Sequence, residues 1–447
     1  MAGLFSIIES AKKGIHSSRI GLEVTSHNVS NANTPGYTRQ RVELSSSDVL
    51  SSKLGMINPG VKVVGIKQIR DIFIEGEIRK TLNSLGNHSV EREIFSRIET
   101  IINEPSEVGL GRLIEKFFNA FDDLAKNPED RALRVTVVQS AKALSQRFND
   151  IFNSMLGMKK DILSEMDAKV KNLNEIIAEI GKLNREAVNL YNSGAETNDI
   201  KDKINQKLNE LSKLVDFVAS FDESGAVKIN AGGVTIVNRE QVKKIEMKFF
   251  DGKVKLISTD DGIEAKLNSG EIFMLQNSFN DLIPDVIEGF DRLALNLIKK
   301  INDIHRLGYG INGATGLDFF VGTGSGSIQV NKAILENPNK IATSIDGNPG
   351  DNQVALAIAG LRKDENITNF YNSIVSDIGL RSKISSDNEN LQKMILNQLE
   401  SQRDSASGVS IDEEMLNMIK FQKMFEASAR VIQSVNEMID TILSMVR

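Results

Sequence analysis

Apolar residues recur along this chain with two different periods, and the period alone divides it. Over the first thirty residues Leu4, Ile8, Ala11, Ile15, Ser18, Leu22, Thr25 and Val29 step by four and three. That spacing lays them along one seam of a helix. Asn33-Thr34-Pro35-Gly36 then stops it, because Pro restricts φ and Gly supplies the left-handed turn. Residues 37–70 read as extended: Val42 and Leu44 alternate with polar neighbours, and Pro59-Gly60 precedes Val61, Val63 and Ile66. Helical spacing returns from about Ile74 to Glu210, with Leu173, Ile176, Ile180, Leu183, Ala187 and Leu190 as its clearest run. Asn127-Pro128 and Ser193-Gly194 mark turns within it.

Near Val215 the period changes to two. Val227/Ile229, Ile245/Met247/Phe249 and Val254/Leu256 alternate with polar residues, and Asp251-Gly252 is a hairpin signal, with Asp261-Gly262 following. Ile283, Ile287, Phe290, Ala294, Leu297, Ile301 and Ile304 predict another helix. Residues 307–350, rich in Gly, Asn and Ser, read as loops with short elements. The last 37 residues predict the strongest helix, with two apolar stripes. One runs Ile411, Met415, Met418, Gln422, Phe425, Ala429, Ile432, Asn436, Ile439, Leu443, Val446. The other runs Met424, Ser428, Val431, Val435, Met438, Ile442, Met445. Two stripes require more than one partner.

The expected fold is mainly α with a small antiparallel β domain. Paired N- and C-terminal coiled-coil helices (1–36 and 405–447) join a long helical bundle (37–217 and 276–404), and an outer β domain is inserted at 218–275. That insert is expected to lie outermost and to add little to packing between subunits. The terminal helices are expected to be poorly ordered in the free monomer and to fold together on assembly.

Composition narrows the function by exclusion. Lys and Arg total 54 against 60 Asp and Glu, so the basic balance of a nucleic-acid grip is missing. With no cysteine there is no thiolate metal site, disulfide or cysteine nucleophile. No run approaches the length of a membrane span, so no membrane insertion is expected. The N-terminus lacks the basic and apolar regions of a cleaved signal.

Candidate chemistry does not accumulate. Gly308-Tyr-Gly310-Ile-Asn-Gly313 has the letters of a dinucleotide loop, but it follows a helix instead of a strand. Gly322-Thr-Gly324-Ser-Gly326 lacks the lysine of a phosphate loop. His16, His27, His88 and His305 lie far apart and read as helix-surface or helix-end residues. Glu413-Glu414 and Asp122-Asp123 read as helix starts or exposed faces. No catalytic, cofactor-binding or metal-ligating residue is nominated, and no cofactor is expected.

Residues 17–41, with Asn28, Asn31 and Thr34-Pro35-Gly36-Tyr37 at their centre, resemble the N-terminal signature of the flagellar axial family of rod, hook and hook-associated proteins. Residues 408–447 are similar to that family's C-terminal helix, through Glu414-Met415, Gln422, Ala427, Ala429-Arg430-Val431-Ile432, Met438 and Leu443. Four further strings resemble its hook–filament junction members: Thr38-Arg39-Gln40-Arg41; Asn198-Asp199-Ile200-Lys201-Asp202 leading into Leu211–Val215; Asn302 and His305 before Gly308; and Gly350-Asp351-Asn352-Gln353 with Ala355-Leu356-Ala357. The chain departs from the family at Asp202-Lys203-Ile204-Asn205, where Asp-Gln-Arg-Asp is common, and in its length, since its 447 residues barely leave room for the further variable outer domain that many members carry.

The resemblance implies a structural subunit of the bacterial flagellum, not an enzyme, that self-assembles as a homo-oligomeric ring and adapts hook to filament. Implied partners are the hook protein, the second junction protein (hook-associated protein 3), a flagellar export chaperone and the type III export apparatus. The implied location is extracellular, reached without a cleaved signal. A hook or distal rod protein is the alternative; it should lack the 350–357 string and the long helical stretch from 130 to 215. A secreted enzyme on a helical stalk would need catalytic groups in the insert, which contains no histidine.

Overall fold

The computed structural model describes residues 2–46, 50–52, 55–57 and 60–445. Pro59 and Val446, used above, lie outside them. Helix α1 (Ala2–Ser30) leads into a hairpin of β1 (Gln40–Ser46) and β4 (Val61–Gln68), with the small pair β2 (Leu50–Ser52) and β3 (Gly55–Ile57) between. Four helices follow: α2 (Ile72–Ile102), α3 (Leu110–Lys126), α4 (Arg131–Asn192) and α5 (Asn198–Leu214). Asp71 and Asp130 cap α2 and α4 by accepting hydrogen bonds from the free N–H groups of their first turns.

Helix α4 is the spine of the molecule. Its 62 residues span about 90 Å at 1.5 Å per residue. Val137, Ala141, Leu144, Phe148, Ile151 and Met155 open a buried stripe that continues in steps of three or four to Ala187. The Leu173–Leu190 spacing read from the sequence is the far end of this stripe.

The strands of the insert are β5 (Val218–Phe221), β6 (Val227–Ala231), β7 (Val234–Asn238) and β8 (Gln241–Val242), forming an antiparallel meander, then the hairpin of β9 (Ile245–Phe250) and β10 (Lys253–Ser258). Asp251 and Gly252 both have positive φ, as the hairpin signal requires. The insert is not a free outer module. Val227, Ile229, Ala231, Val234 and Ile236 bury into the same core as Val170, Leu173 and Ile177 of α4. Two asparagines of α4 also grip strand backbones. Asn184 accepts from Val227 N–H and donates to Val227 C=O, both at 2.8 Å. Asn174 makes the same exchange with Ile245 at 2.8 and 2.9 Å. Apolar alternation revealed the strands but not which surface would cover them. Part of the range is also helical, since α6 (Glu271–Asn277) packs against α2 and α4. Ile236→Ala is expected to lower the stability of the whole helical body by about 2–5 kcal/mol, measured by chemical denaturation.

After a π turn (Ser278–Leu282), α7 (Ile283–His305) carries the expected apolar face. The segment read as loops supplies core. Its short pieces are β11 (Tyr309–Gly310), β12 (Phe320–Val321), β13 (Gln329–Val330), α8 (Lys332–Glu336) and β14 (Ala342–Ser344). They bury Phe319, Phe320, Ile328 and Ile341, and both phenylalanines stack on Phe117 of α3. Arg134 ties this layer to α4. It is fully buried and donates to the carbonyls of Pro128 and Ile341 and to Thr343 Oγ1, and burial pulls its guanidinium down to about 10. Helix α9 (Gln353–Gly360) then leads to α10 (Thr368–Ser407), a 40-residue helix lying antiparallel on α2. It falls in a stretch for which the sequence pattern specified no element. Helix α11 (Ile411–Met445) closes the chain. No helix among the described residues is long and apolar enough to cross a membrane.

Candidate assembly site

The two terminal helices form an antiparallel pair whose contact face is built from small residues. Gly14 faces Ser428, Gly21 faces Phe421 and Asn28 faces Glu414, a step of seven on both helices. A Cβ on Gly14 would stand 2.5 Å from Ser428 Oγ, which a turn of that hydroxyl could clear, whereas one on Gly21 would stand 2.5 Å from the Phe421 ring, which would have to move as a whole. Ala11, Ser18 and Thr25 complete the stripe. Thr25 Oγ1 donates to Gly21 C=O at 2.7 Å, and Ser18 Oγ likewise bonds one turn back to Gly14, so these hydroxyls are satisfied within their own helix.

This moves the seam one position from the expected one. Ala11, Ser18 and Thr25 belong to both readings, but Gly14, Gly21 and Asn28 replace Ile15, Leu22 and Val29, which flank the contact half-buried. On α11 the face toward α1 carries Glu414, Phe421, Met424, Ser428 and Val435 and runs between the two stripes: Met418, Ile432 and Ile439 of the first are half-buried beside it, while Val431, Met438, Ile442 and Met445 of the second stay exposed. The first stripe, from Ile411 and Met415 to Phe425, stays largely exposed, with Leu416 and Ile419 beside it. Apolar periodicity weights large side chains, whereas close backbone approach selects small ones.

A buried polar lock joins this pair to the body. Asn28 accepts from Gln40 N–H and donates to Gln40 C=O and to Glu414, while its Oδ1 also receives the Tyr37 hydroxyl at 2.8 Å. Arg39 forks onto Glu413 and Glu414, each at 2.7 Å. Asp202 of α5 accepts from Thr38 N–H (3.1 Å) and Oγ1 (2.8 Å), from Gln68 (2.8 Å) and from Arg70 (2.6 Å). Gln40 donates to Asp199 at 2.9 Å. Burial pushes the Asp202 carboxyl above its ordinary range against the pull of Arg70, and it raises the Tyr37 phenol with help from Asp199, Asp202 and Glu414. Four segments far apart in sequence, 28–40, 68–70, 199–202 and 413–414, thus meet in one place. Glu414 was read as a helix start or exposed face; it is a helix-start residue only 2% exposed, held in the lock.

The other matched strings brace the body. His305 ends α7 as expected but is fully buried: its Nδ1–H donates to Leu317 C=O at 2.7 Å and Nε2 accepts from Ala342 N–H at 3.0 Å. Asn302 holds Phe319 and Phe320 backbones, Asp351 caps Ile345, and Asn352 donates to Ala125 C=O. Burial lowers His305 to about 4 from an ordinary 6.5. As pH falls below 6.5 the unfolded chain takes up a proton that the folded chain refuses until about 4. The stabilisation is therefore complete above 6.5 and lost through that window, by up to about 3 kcal/mol. Denaturation midpoints measured between pH 7 and 4 are expected to fall less steeply in His305→Gln than in the parent.

A helix pair closed on one face, open and apolar on the other, and locked at a set angle to a rigid body defines a subunit that completes its packing in a polymer. The comparisons agree in kind. The profile of the flagellar hook-associated protein FlgK helical domain matches residues 95–320, and that of the flagellar basal body rod FlgEFG protein C-terminal region matches 400–445. The chain belongs to the flagellar hook-associated protein FlgK family. It is 26% identical to flagellar hook-associated protein 1 of Bacillus subtilis, over 99% of both chains. It is 22% identical to the protein of that name from Salmonella typhimurium, over 98% of this chain and all of the other. Among solved structures, the flagellar hook junction protein FlgK of Burkholderia pseudomallei aligns with 55% of this chain and 46% of its own, at 15% identity and a TM-score of 0.48.

Proposed function

We propose that this chain is a structural subunit of the bacterial flagellum that forms the hook–filament junction, polymerising through its terminal helix pair. The observation that carries the reading is the pair itself: α11 is sealed against α1 by small residues yet presents an exposed stripe through Met415 and Phe425. Burial of such a stripe between copies is the driving force that remains once the monomer has folded. The relatives' names tie them to the hook, which supports a place at its junction with the filament. The hook protein on one side and the second junction protein on the other are its neighbours, and an export chaperone and the type III apparatus deliver it outside the cell. Its role is mechanical, with no catalytic or cofactor-binding residue. Residues 1–36 with 405–447 are the axial part, 37–217 with 276–404 the helical body, and 218–275 the insert laid on that body.

A labelled chain imaged in intact flagella tests this. Label confined to a short ring between hook and filament is expected; label spread along either structure overturns it. The pair is also proposed to order on assembly. Backbone ordering costs about 1–2 kcal/mol per residue, and a stripe of glycine, serine and alanine buries little apolar area to offset it. Amides of α1 and α11 are expected to exchange with deuterium far faster in the monomer than in the polymer. Slow exchange in both would show a permanently folded pair.

A further inference from the structure

His27 stands in the last turn of α1, with one ring nitrogen on the turn that follows and the other toward α5. Its Nδ1 lies 3.0 Å from the Tyr37 hydroxyl, and its Nε2 lies 3.9 Å from Asp199 Oδ2. The hydrogen bonds around it fix where the protons are. Asn28 gives both amide hydrogens away, to Gln40 C=O and to Glu414, so its Oδ1 can only accept. That oxygen lies 2.8 Å from the Tyr37 oxygen, a contact that needs the phenol hydrogen between them. The phenol has no second hydrogen, so the bond between Tyr37 and the ring is donated by Nδ1–H. Nε2 then faces the Asp199 carboxylate with a bare lone pair in the neutral ring, and with an N–H in the charged one.

We infer that His27 is a pH-dependent latch between the terminal helix pair and the body. A second proton on the ring turns its contact with Asp199 from a repulsion into an ion pair. Two features favour the charged ring. Asp199 makes no ion pair with lysine or arginine among the described residues, and Gln40 donates to its other oxygen. The C-terminal end of α1 also presents its free carbonyls beside His27, where positive charge is stabilised. The other acids of the lock and of this stretch of α1 are taken. Glu23, one turn back on α1, faces Arg19; Asp202 of α5 holds Arg70; Glu413 and Glu414 of α11 hold Arg39. The sign is opposite to that of His305. Acid loosens the body at His305 and tightens its joint with the pair at His27.

Hydrogen exchange of the α1 amides from Val24 to Asn31 tests this on the full-length chain, as monomer and as polymer. Protection is taken relative to the unstructured rate at each pH. The ratio of parent to His27→Gln protection is expected to rise about two- to fivefold from pH 8 to pH 5.5, the span of a half-exposed ion pair. The rise belongs to whichever form protects these amides. In an Asp199→Asn background, which keeps an acceptor for Gln40, the same ratio should stay level. His305 is present in every chain and cancels. A level or falling ratio in the parent background, or a rise that survives Asp199→Asn, overturns the latch. Amides unprotected in both forms would show that α1 does not dock on α5, and overturn it equally.

Discussion

Replacing Gly14 by valine and Gly21 by leucine together is expected to abolish polymer formation while leaving the helical body folded. At both positions an added Cβ would stand 2.5 Å from an α11 side chain, Ser428 Oγ at Gly14 and the Phe421 ring at Gly21. Valine and leucine reach well past the Cβ, so the two helices must move apart to admit them. Overpacking of this kind costs about 1–3 kcal/mol per site, so the pair loses roughly 2–6 kcal/mol, at least a thirtyfold shift in its equilibrium. Helix α1 meets the body chiefly through the β1–β4 hairpin, with one further contact from His27 to Asp199 of α5, so the melting of α2–α7 should barely move. Sedimentation of polymer and thermal melting of monomer separate the two effects. A double variant that still assembles would mean the helices do not pair this way in the polymer.

Asp202→Ala is expected to be the most damaging single change in the lock. One buried carboxylate serves Thr38, Gln68 and Arg70 together, and its removal leaves a guanidinium and three polar donors without their shared acceptor. Breaking a buried pair by deleting one partner costs about 3–5 kcal/mol, and Asp202→Asn, which keeps an acceptor, should cost about 1–3 kcal/mol. Chemical denaturation of the monomer measures both. Equal losses for the two variants would show that the charge, not the acceptor geometry, holds Arg70.

The lock also explains why family-like strings scattered along the chain look unrelated in one dimension. Thr34-Pro35-Gly36-Tyr37 is legible as a turn from the geometry of Pro and Gly. Tyr37 reaches Asn28 only nine residues back, but that Arg39 would reach Glu414 depends on α11 lying against α1, a contact 375 residues apart in sequence. The insert shows the same division. Alternation at Val227/Ile229 is a local property of a strand with one buried face, whereas the identity of the covering surface, α4 with Asn174 and Asn184, is not local.

The sequence by itself determined the elements and their type: helices where apolar residues recur at three and four, strands where they alternate, stops at Pro, Gly and Asn. These follow from backbone geometry and side-chain period, which act within a few residues. It also carried the family, because both terminal signatures survive as contiguous strings. Only the tertiary structure decided which stripe of α11 meets α1, that small residues and not the large ones make that contact, and that α10 covers α2. It also buried Glu414, Arg134 and His305. Each of these outcomes depends on how closely two distant surfaces approach, and closeness is set by the smallest residues between them, which apolar periodicity does not weigh.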